Sequence, residues 1–187
     1  DKWKKYRSLG ISSIVFYIML DKPEIRTRIL ELLKSYPAIK QKITVLKREF
    51  ENPHLISEQE MLDTMAFAKG KLGSRSAPGH ISDKTYHIAI NFRGQAAHYN
   101  REQIMEITVE LEKMEKKIYR LEYCISQLPD EQQRVIRGTY IEKLEQKKLA
   151  SELCISDSTL RRYRDKALSS LAEMYMMLIK AGVVIEW

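Results

Sequence analysis

Two segments of the sequence, residues 25–50 and 104–128, carry apolar residues at alternating steps of four and three. They are Ile25, Ile29, Leu32, Tyr36, Ile39, Ile43, Leu46 and Phe50 in the first segment, and Ile104, Ile107, Leu111, Met114, Ile118, Leu121, Ile125 and Leu128 in the second. Such spacing over three or more heptads is typical of coiled-coil helices, which need a partner for their narrow apolar stripe. The partner is either the other segment, in an antiparallel hairpin, or a second copy of the chain in a homodimer. Pro37 interrupts the first segment, so we expect a kink or break near Tyr36.

The stretch between the heptad segments is less regular. Ser57 followed by Glu60 is a capping-box pattern, which predicts a short helix that reaches about Lys69. The next residues, "GKLGSRSAPGHISDKT", are rich in Gly, Ser and Pro and predict a flexible loop. Residues 85–92, "TYHIAINF", are compatible with either a helix or extended chain. Because only 7 Gly and 5 Pro occur in 187 residues, the sequence as a whole favours long helices and an all-α fold.

The positive charge of the chain is concentrated near its N-terminus. Residues 1–50 hold 12 Lys or Arg against 5 Asp or Glu, an excess equal to the net charge of +7 of the whole sequence. This charge suggests an anionic partner. The apolar run "LGISSIVFYIML" is shorter than the ~20 residues of a membrane span. We expect it to pack on protein, with attachment to a membrane surface as the alternative.

Cysteine and histidine usage argues against a cofactor. Cys124 and Cys154 both lie in apolar helical patterns, which favours reduced thiols and a cytoplasmic location. The four histidines show no ligand spacing, so we expect no metal site. Since no phosphate-binding glycine loop, nucleophile motif or paired carboxylates stand out, we expect no catalytic residues and no enzymatic activity.

The C-terminal residues 129–187 predict three successive helices that form a helix-turn-helix. Pro129 ends the second heptad helix and begins the first of the three. The second runs from about Glu145 to Leu153, and the third starts after Ser156, a favourable N-cap residue. Two short helices joined by about three residues are typical of this DNA-binding motif.

The turn of this motif contains one unusual residue. Cys154 stands where a tight turn favours glycine, and a left-handed cysteine would cost roughly 1 kcal/mol. We expect either a different turn or burial of the thiol that offsets the strain. The neighbouring residues fit the motif, because the small Ala150 allows the helices to cross closely and Ile155 fills the space beneath the turn.

The third helix presents polar and basic side chains opposite its apolar stripe. That stripe consists of Leu160, Tyr163, Ala167, Leu168 and Leu171. The side chains expected to face bases are Asp157, Ser158, Thr159, Arg161 and Arg162, and those expected to lie at phosphates are Gln146, Lys147, Lys148, Arg164 and Lys166. Arginine can bond two acceptors of one guanine, whereas the flanking cations and the amide suit phosphate contacts. The alternative is a helical subdomain whose basic face is only solvated.

Residues 128–175 resemble the fourth conserved region of bacterial sigma factors, which recognises the upstream promoter element. The stretches that carry the resemblance are "LPDEQQRVIRGTY", "KKLASELCIS" and "STLRRYRDKALSSLAEM". The resemblance implies that the third helix enters the major groove and that the domain touches a flap of RNA polymerase. It also implies base contacts for Asp157, Ser158, Thr159 and Arg162, and phosphate contacts for Arg161 and Lys166. Arg161 therefore has two possible roles.

The remainder of the chain shows no match to the sigma region that opens the promoter. A helical N-terminal part, a loop and a long helix that leads into a sigma-like helix-turn-helix resemble phage late-gene activators of the RinA and ArpU type. The prediction is an all-α chain with a basic helical region at 1–50, a short helix and flexible loop at 51–99, a long heptad helix at 100–128 and a DNA-binding domain at 129–187.

From this organisation we expect a sequence-specific transcription activator of phage or prophage origin. It would bind double-stranded promoter DNA and help to recruit bacterial RNA polymerase. The alternatives are a divergent alternative sigma factor and a coiled-coil assembly protein whose basic helix is only a surface.

Overall fold

The structure is a computed structural model that describes residues 21–67, 83–185 and 187, and within these ranges every regular element is helical. The helices are α1 (Lys22–Glu51), α2 (Glu58–Phe67), α3 (Asp83–Ser126), α4 (Asp130–Ile136), α5 (Gln146–Glu152) and α6 (Asp157–Lys180). A π-helical turn, Arg137–Ile141, continues α4. The predicted all-α class is confirmed. The N-terminal apolar run and most of the predicted flexible loop lie outside the described residues.

The described residues belong to two compact units. One contains the residues up to Ile43 together with those from Lys113 onward, and the other is Thr44–Glu112. Both α1 and α3 therefore contribute residues to each unit. No helix in the described ranges has the length and apolar character needed to cross a membrane.

A kink or break is expected near Tyr36. The break is wrong, because the α1 helix continues through Pro37, and the kink stays a prediction. A proline inside a helix costs about 3 kcal/mol, since it lacks an N–H and crowds the preceding turn. Packing on both sides of Pro37 offsets this cost, because Leu33 and Tyr36 before it and Ile43 after it are buried. Tertiary burial thus decides the conformation that local sequence disfavours.

The unit formed by the two ends of the chain holds most of the buried side chains. The α1 stripe is covered at Ile25, Ile29, Leu32 and Tyr36, and the α3 stripe at Ile118, Leu121 and Ile125. From α6 the buried residues are Leu160, Ala167, Leu168, Leu171, Ala172, Tyr175 and Ile179. A substantial part of both heptad stripes is therefore buried inside the chain's own core.

The α1 and α3 helices are joined by a polar contact at the edge of this core. The Tyr36 hydroxyl donates a hydrogen bond to the Glu122 carboxylate, and the Lys40 ammonium lies 2.9 Å from the same carboxylate. Burial alone would raise the pKa of Glu122, but the hydrogen bonds from Tyr36 and Lys40 outweigh it and hold that pKa below its ordinary value. Burial raises the pKa of the Tyr36 phenol, and the bond to Glu122 raises it further. The contact therefore favours the ionised carboxylate.

In the second unit, the predicted capping box at the start of α2 is present. The Ser57 backbone N–H donates to Glu60 Oε2 at 2.8 Å, and the Glu60 N–H donates to Ser57 Oγ at 3.2 Å. The Asn100 side chain holds the preceding chain to α3, because its Oδ1 accepts from Ile56 N at 2.9 Å and its Nδ2 donates to Ile56 O at 3.0 Å.

The start of α3 corrects the predicted extent of the loop region at 51–99. Residues 85–92, which the sequence leaves open between helix and extended chain, are helical, and α3 begins at Asp83. The long helix predicted at 100–128 is thus longer at its N-terminal end. An isolated extended segment has no partner strand for its backbone groups, whereas a helix satisfies them internally.

Candidate nucleic-acid interface

The helix-turn-helix predicted from the sequence is present and is built around a small apolar cluster. Its buried members are Val135 of α4, Leu149 and Ala150 of α5, and Leu160 of α6. Leu144, Leu153, Ile155 and Tyr163 pack against them and are partly buried. The predicted roles of Ala150 and Ile155 are confirmed, since both lie in this cluster between the two helices.

The π-helical turn after α4 brings a glycine close to α5. A Cβ atom on Gly138 would lie 2.5 Å from Leu149 Cδ1, and Leu149 is itself buried. A side chain at this position would therefore force Leu149 to shift within the core, and glycine avoids that shift. Gly138 is not among the residues predicted for the site, although a lone glycine in a helical pattern is a usable signal for such a contact.

The turn between α5 and α6 is a Schellman motif with Cys154 at its left-handed position. Cys154 has φ +54°. Its N–H donates to Ser151 O at 3.1 Å, and the Ile155 N–H donates to Ala150 O at 3.0 Å, which is the bonding pattern of that motif. Both sequence expectations for Cys154 are wrong, because the turn keeps the left-handed geometry and the thiol is exposed. The two backbone bonds and the packing of Ile155 hold the turn instead.

The α6 helix begins with a cluster of hydroxyl groups. Ser156 Oγ accepts a hydrogen bond from Thr159 N at 3.2 Å, which confirms Ser156 as the N-cap residue. The same oxygen lies 2.9 Å from Ser158 Oγ and 3.0 Å from Thr159 Oγ1. Two side chains predicted to face bases are therefore held in place by the cap.

Most of the predicted contact residues are exposed. On α6 these are Asp157, Ser158, Arg161, Arg162 and Lys166, and on α5 they are Gln146, Lys147 and Lys148. Thr159 and Arg164 are half-buried. The Arg162 guanidinium lies 5.8 Å from the centre of the Tyr163 ring, which restricts its stem, and Lys148 Nζ is 4.0 Å from Glu152. The α5 cations and the α6 arginines thus reach solvent from one small domain.

The α1 helix is attached to α6 by two ion pairs that the sequence does not predict. Arg26 Nη2 lies 2.9 Å from Asp165 Oδ1, and Lys22 Nζ lies 2.6 Å from Glu173 Oε1. The Tyr140 phenol is close to the first of these pairs. Burial raises its pKa, while the charges of Arg164 and Arg26 lower it and that of Asp165 raises it. Ion pairs between residues so far apart in the sequence cannot be predicted from the spacing of residues.

An apolar groove lies in the same unit, between the C-terminal parts of α3 and α6. It has a volume of about 510 Å³, and its walls include Tyr119, Tyr123, Met174, Met177 and Leu178. Tyr119 is 73% exposed and Met177 67% exposed, values that are high for large apolar side chains. This surface shares no residue with the predicted DNA contacts.

Comparison with known families supports the DNA-binding interpretation. Residues 124–173 match the family model described as sigma-70, region 4. The predicted resemblance to region 4 is confirmed for this part of the chain, and the helix-turn-helix is a DNA-binding domain of the type that acts in transcription. The match begins near the end of α3 and includes α4, α5 and most of α6. Searches of curated proteins and of solved structures found no match to the chain.

Proposed function

We propose that this protein is a sequence-specific transcription activator that binds promoter DNA through α6 and helps to recruit RNA polymerase. The observation that carries the proposal is the pair of exposed arginines, Arg161 and Arg162, on the third helix of a region 4 domain. Because Leu160 on the opposite side of α6 is completely buried, the helix is held firmly and its arginines project from a rigid support.

The proposed interface combines base recognition with phosphate binding. A guanidinium bonds the O6 and N7 atoms of guanine in the major groove, which gives Arg162 its proposed role. The exposed Gln146, Lys147 and Lys148 open α5, where cations and free backbone N–H groups suit a phosphate. Lys166 is proposed to bind phosphate from α6. Such a division provides specificity from α6 and affinity from both helices.

An activator of phage or prophage origin is favoured over a complete sigma factor by the architecture. A 44-residue α3 helix leads into the region 4 domain, an arrangement similar to that of the RinA and ArpU type. We propose a binding protein and not an enzyme, located in the cytoplasm with the polymerase.

The apolar groove between α3 and α6 is our proposed polymerase contact. It displays apolar side chains on the same domain and includes none of the proposed DNA-binding residues.

Substitution of Arg162 tests the DNA-binding part of the proposal. Selection of bound duplexes from a random pool defines the cognate site, and Arg162→Ala should then lose about 1–3 kcal/mol of discrimination at one base pair. Arg162→Lys, which keeps the charge but not the planar fork, should lose most of that discrimination as well. Lys147→Ala is the contrasting variant and should weaken binding to all sequences by a similar factor. Equal affinity of wild type and Arg162→Ala for the cognate site would refute the role of Arg162.

Transcription in a purified system separates the activator from the sigma factor. An activator requires the polymerase holoenzyme and a binding site beside the promoter, whereas a sigma factor directs initiation with core polymerase alone. Footprints with and without polymerase locate the protein on the promoter. Two symmetric half-sites in the selected DNA would indicate a homodimer.

A further inference from the structure

The Arg26–Asp165 ion pair lies at the exposed face of α6, which we define as Asp157, Ser158, Arg161, Arg162 and Asp165. Asp165 is four residues after Arg161 and three after Arg162, so that one helical turn separates it from each of them on the same face. The Asp165 side chain is 59% exposed and that of Arg26 is 42% exposed. The Arg26 guanidinium, which belongs to α1, thus lies beside α6 side chains that are proposed to contact DNA.

A carboxylate at this position would oppose DNA binding if it had no partner. Phosphates crowd both edges of the major groove, and Asp165 precedes Lys166, a proposed phosphate contact. The Arg26 guanidinium at 2.9 Å neutralises that carboxylate. Since a guanidinium has five N–H donors in a planar fork, a bond to Asp165 leaves donors that can bind a second anion.

The position of Arg26 is fixed by the packing of α1. Its neighbours Ile25 and Ile29 are 1% and 0% exposed, and the Lys22–Glu173 pair anchors the preceding turn to α6 at 2.6 Å. Arg28 lies over the Trp187 ring at 5.7 Å, which adds a contact with the residues that follow α6. Arg26 is therefore presented from a rigid helix, as a preorganised contact requires.

We propose that Arg26 is a phosphate-binding residue of the DNA interface, oriented by Asp165, so that α1 is a third DNA-contacting helix beside α5 and α6. This inference rests on the proposed function and extends it to a residue outside the region 4 match, which covers residues 124–173. The ligand is the phosphate backbone of duplex DNA, and the contact carries no base specificity.

The test measures the affinity of the full chain for the selected duplex and for a scrambled duplex across a range of salt concentrations. Arg26→Ala and Arg26→Gln should each weaken both duplexes by roughly fivefold and lower the slope of log K against log[salt] by about 0.9, the value for one lost phosphate contact. Lys34→Ala removes an equal charge from an exposed position on α1 and should change neither quantity appreciably.

The double variant Arg26→Ala/Asp165→Asn distinguishes phosphate binding from simple neutralisation of Asp165. If Arg26 binds phosphate, removal of the Asp165 charge leaves the lower salt slope of Arg26→Ala in place. Restoration of wild-type affinity and slope in the double variant would overturn the inference, and so would wild-type behaviour of Arg26→Ala. Binding by wild type with Arg162-dependent selectivity supports the proposed function in every one of these cases. Absence of binding by the wild type would instead refute the proposed function itself.

Discussion

Cys154 and Gly182 occupy the same position in two Schellman motifs of this protein. The Gly182 N–H donates to Ile179 O at 3.0 Å and the Val183 N–H donates to Leu178 O at 3.0 Å, as the equivalent bonds do around Cys154. Their φ angles are +82° and +54°. Glycine adopts this conformation without a steric cost, whereas a residue with a Cβ atom is strained by roughly 1–2 kcal/mol. The turn that connects the two helices of the helix-turn-helix therefore carries a steric strain that the turn at Gly182 avoids.

We predict that Cys154→Gly is more stable than Cys154→Ala by about 0.5–1 kcal/mol. Both variants remove the thiol, but only glycine relieves the left-handed strain, and part of the gain is offset by its larger unfolded-state entropy. Urea unfolding of the two variants measures the difference. Because Cys154 is exposed, the comparison is free of any cavity effect. Equal stability of the two variants would show that the turn is not strained at this residue.

Part of the candidate site can be predicted residue by residue from the sequence, and the rest cannot. The sequence predicts the roles of Ser156, Ala150 and Ile155. An N-cap, a close helix crossing and an apolar residue beneath a turn each require a certain residue type at a fixed spacing. The backbone conformation at Cys154 is not predictable. The sequence alone does not show whether the turn changes its geometry or keeps the left-handed conformation at a steric cost. The Arg26–Asp165 pair joins residues 139 positions apart, and single-sequence patterns do not register such distances.

Among the helices, the strongly periodic ones are the most predictable. In α1, the burial of the heptad positions offsets the energetic cost of Pro37. In α3, residues 85–92 are helical although their β-branched and aromatic side chains favour extended chain. In both places tertiary packing or backbone hydrogen bonding overrides a local preference. The π-helical turn is not predicted either, because a single turn of five residues is too short to show a spacing of apolar residues different from that of an α-helix.

The contact between α1 and α3 predicts a specific loss of stability in acid. The folded pKa of Glu122 lies below its ordinary value of about 4.3, so the ionised carboxylate stabilises the fold at neutral pH, and this contribution disappears as pH falls through the folded pKa. Glu122→Gln should therefore be less stable than wild type by up to about 1 kcal/mol at pH 7, a value kept small because the side chain is partly solvated. The difference should shrink as pH falls below about 4 and vanish once wild-type Glu122 is protonated.

Thermal unfolding of both proteins between neutral and acidic pH measures this effect. Glu31→Gln, which removes an exposed carboxylate from α1, the helix that carries Tyr36 and Lys40, serves as the control. The difference in stability between wild type and Glu122→Gln could instead be constant across the pH range. The contact would then not depend on the charge of Glu122.

For the molecule as a whole, the proposed DNA-binding surface and the proposed polymerase contact lie on different surfaces of one unit. The groove residues Tyr119 and Met177 share no position with the exposed face of α6. We therefore predict that Met177→Glu abolishes activation in a purified transcription system, with less than about a twofold change in DNA affinity, because a carboxylate would disfavour an apolar partner in the groove.

Val45→Glu provides the matched control for this prediction. Val45 is 65% exposed and Met177 67%, but Val45 does not line the groove. Activation by Val45→Glu should match that of wild type. Full activation by Met177→Glu would exclude the groove as the polymerase contact.

The construction of one unit from both ends of the chain has a consequence for its synthesis. Arg26 and Asp165 are 139 positions apart, and ribosomes add about 5–20 residues per second, so roughly 7–28 s elapse between the translation of these two partners. During that interval the apolar stripe of α1 at Ile25, Ile29 and Leu33 has left the ribosome before the α6 helix exists. The core around the α1 stripe therefore stays incomplete until α6 has been made, and for that interval its uncovered apolar surface is accessible to chaperones and proteases.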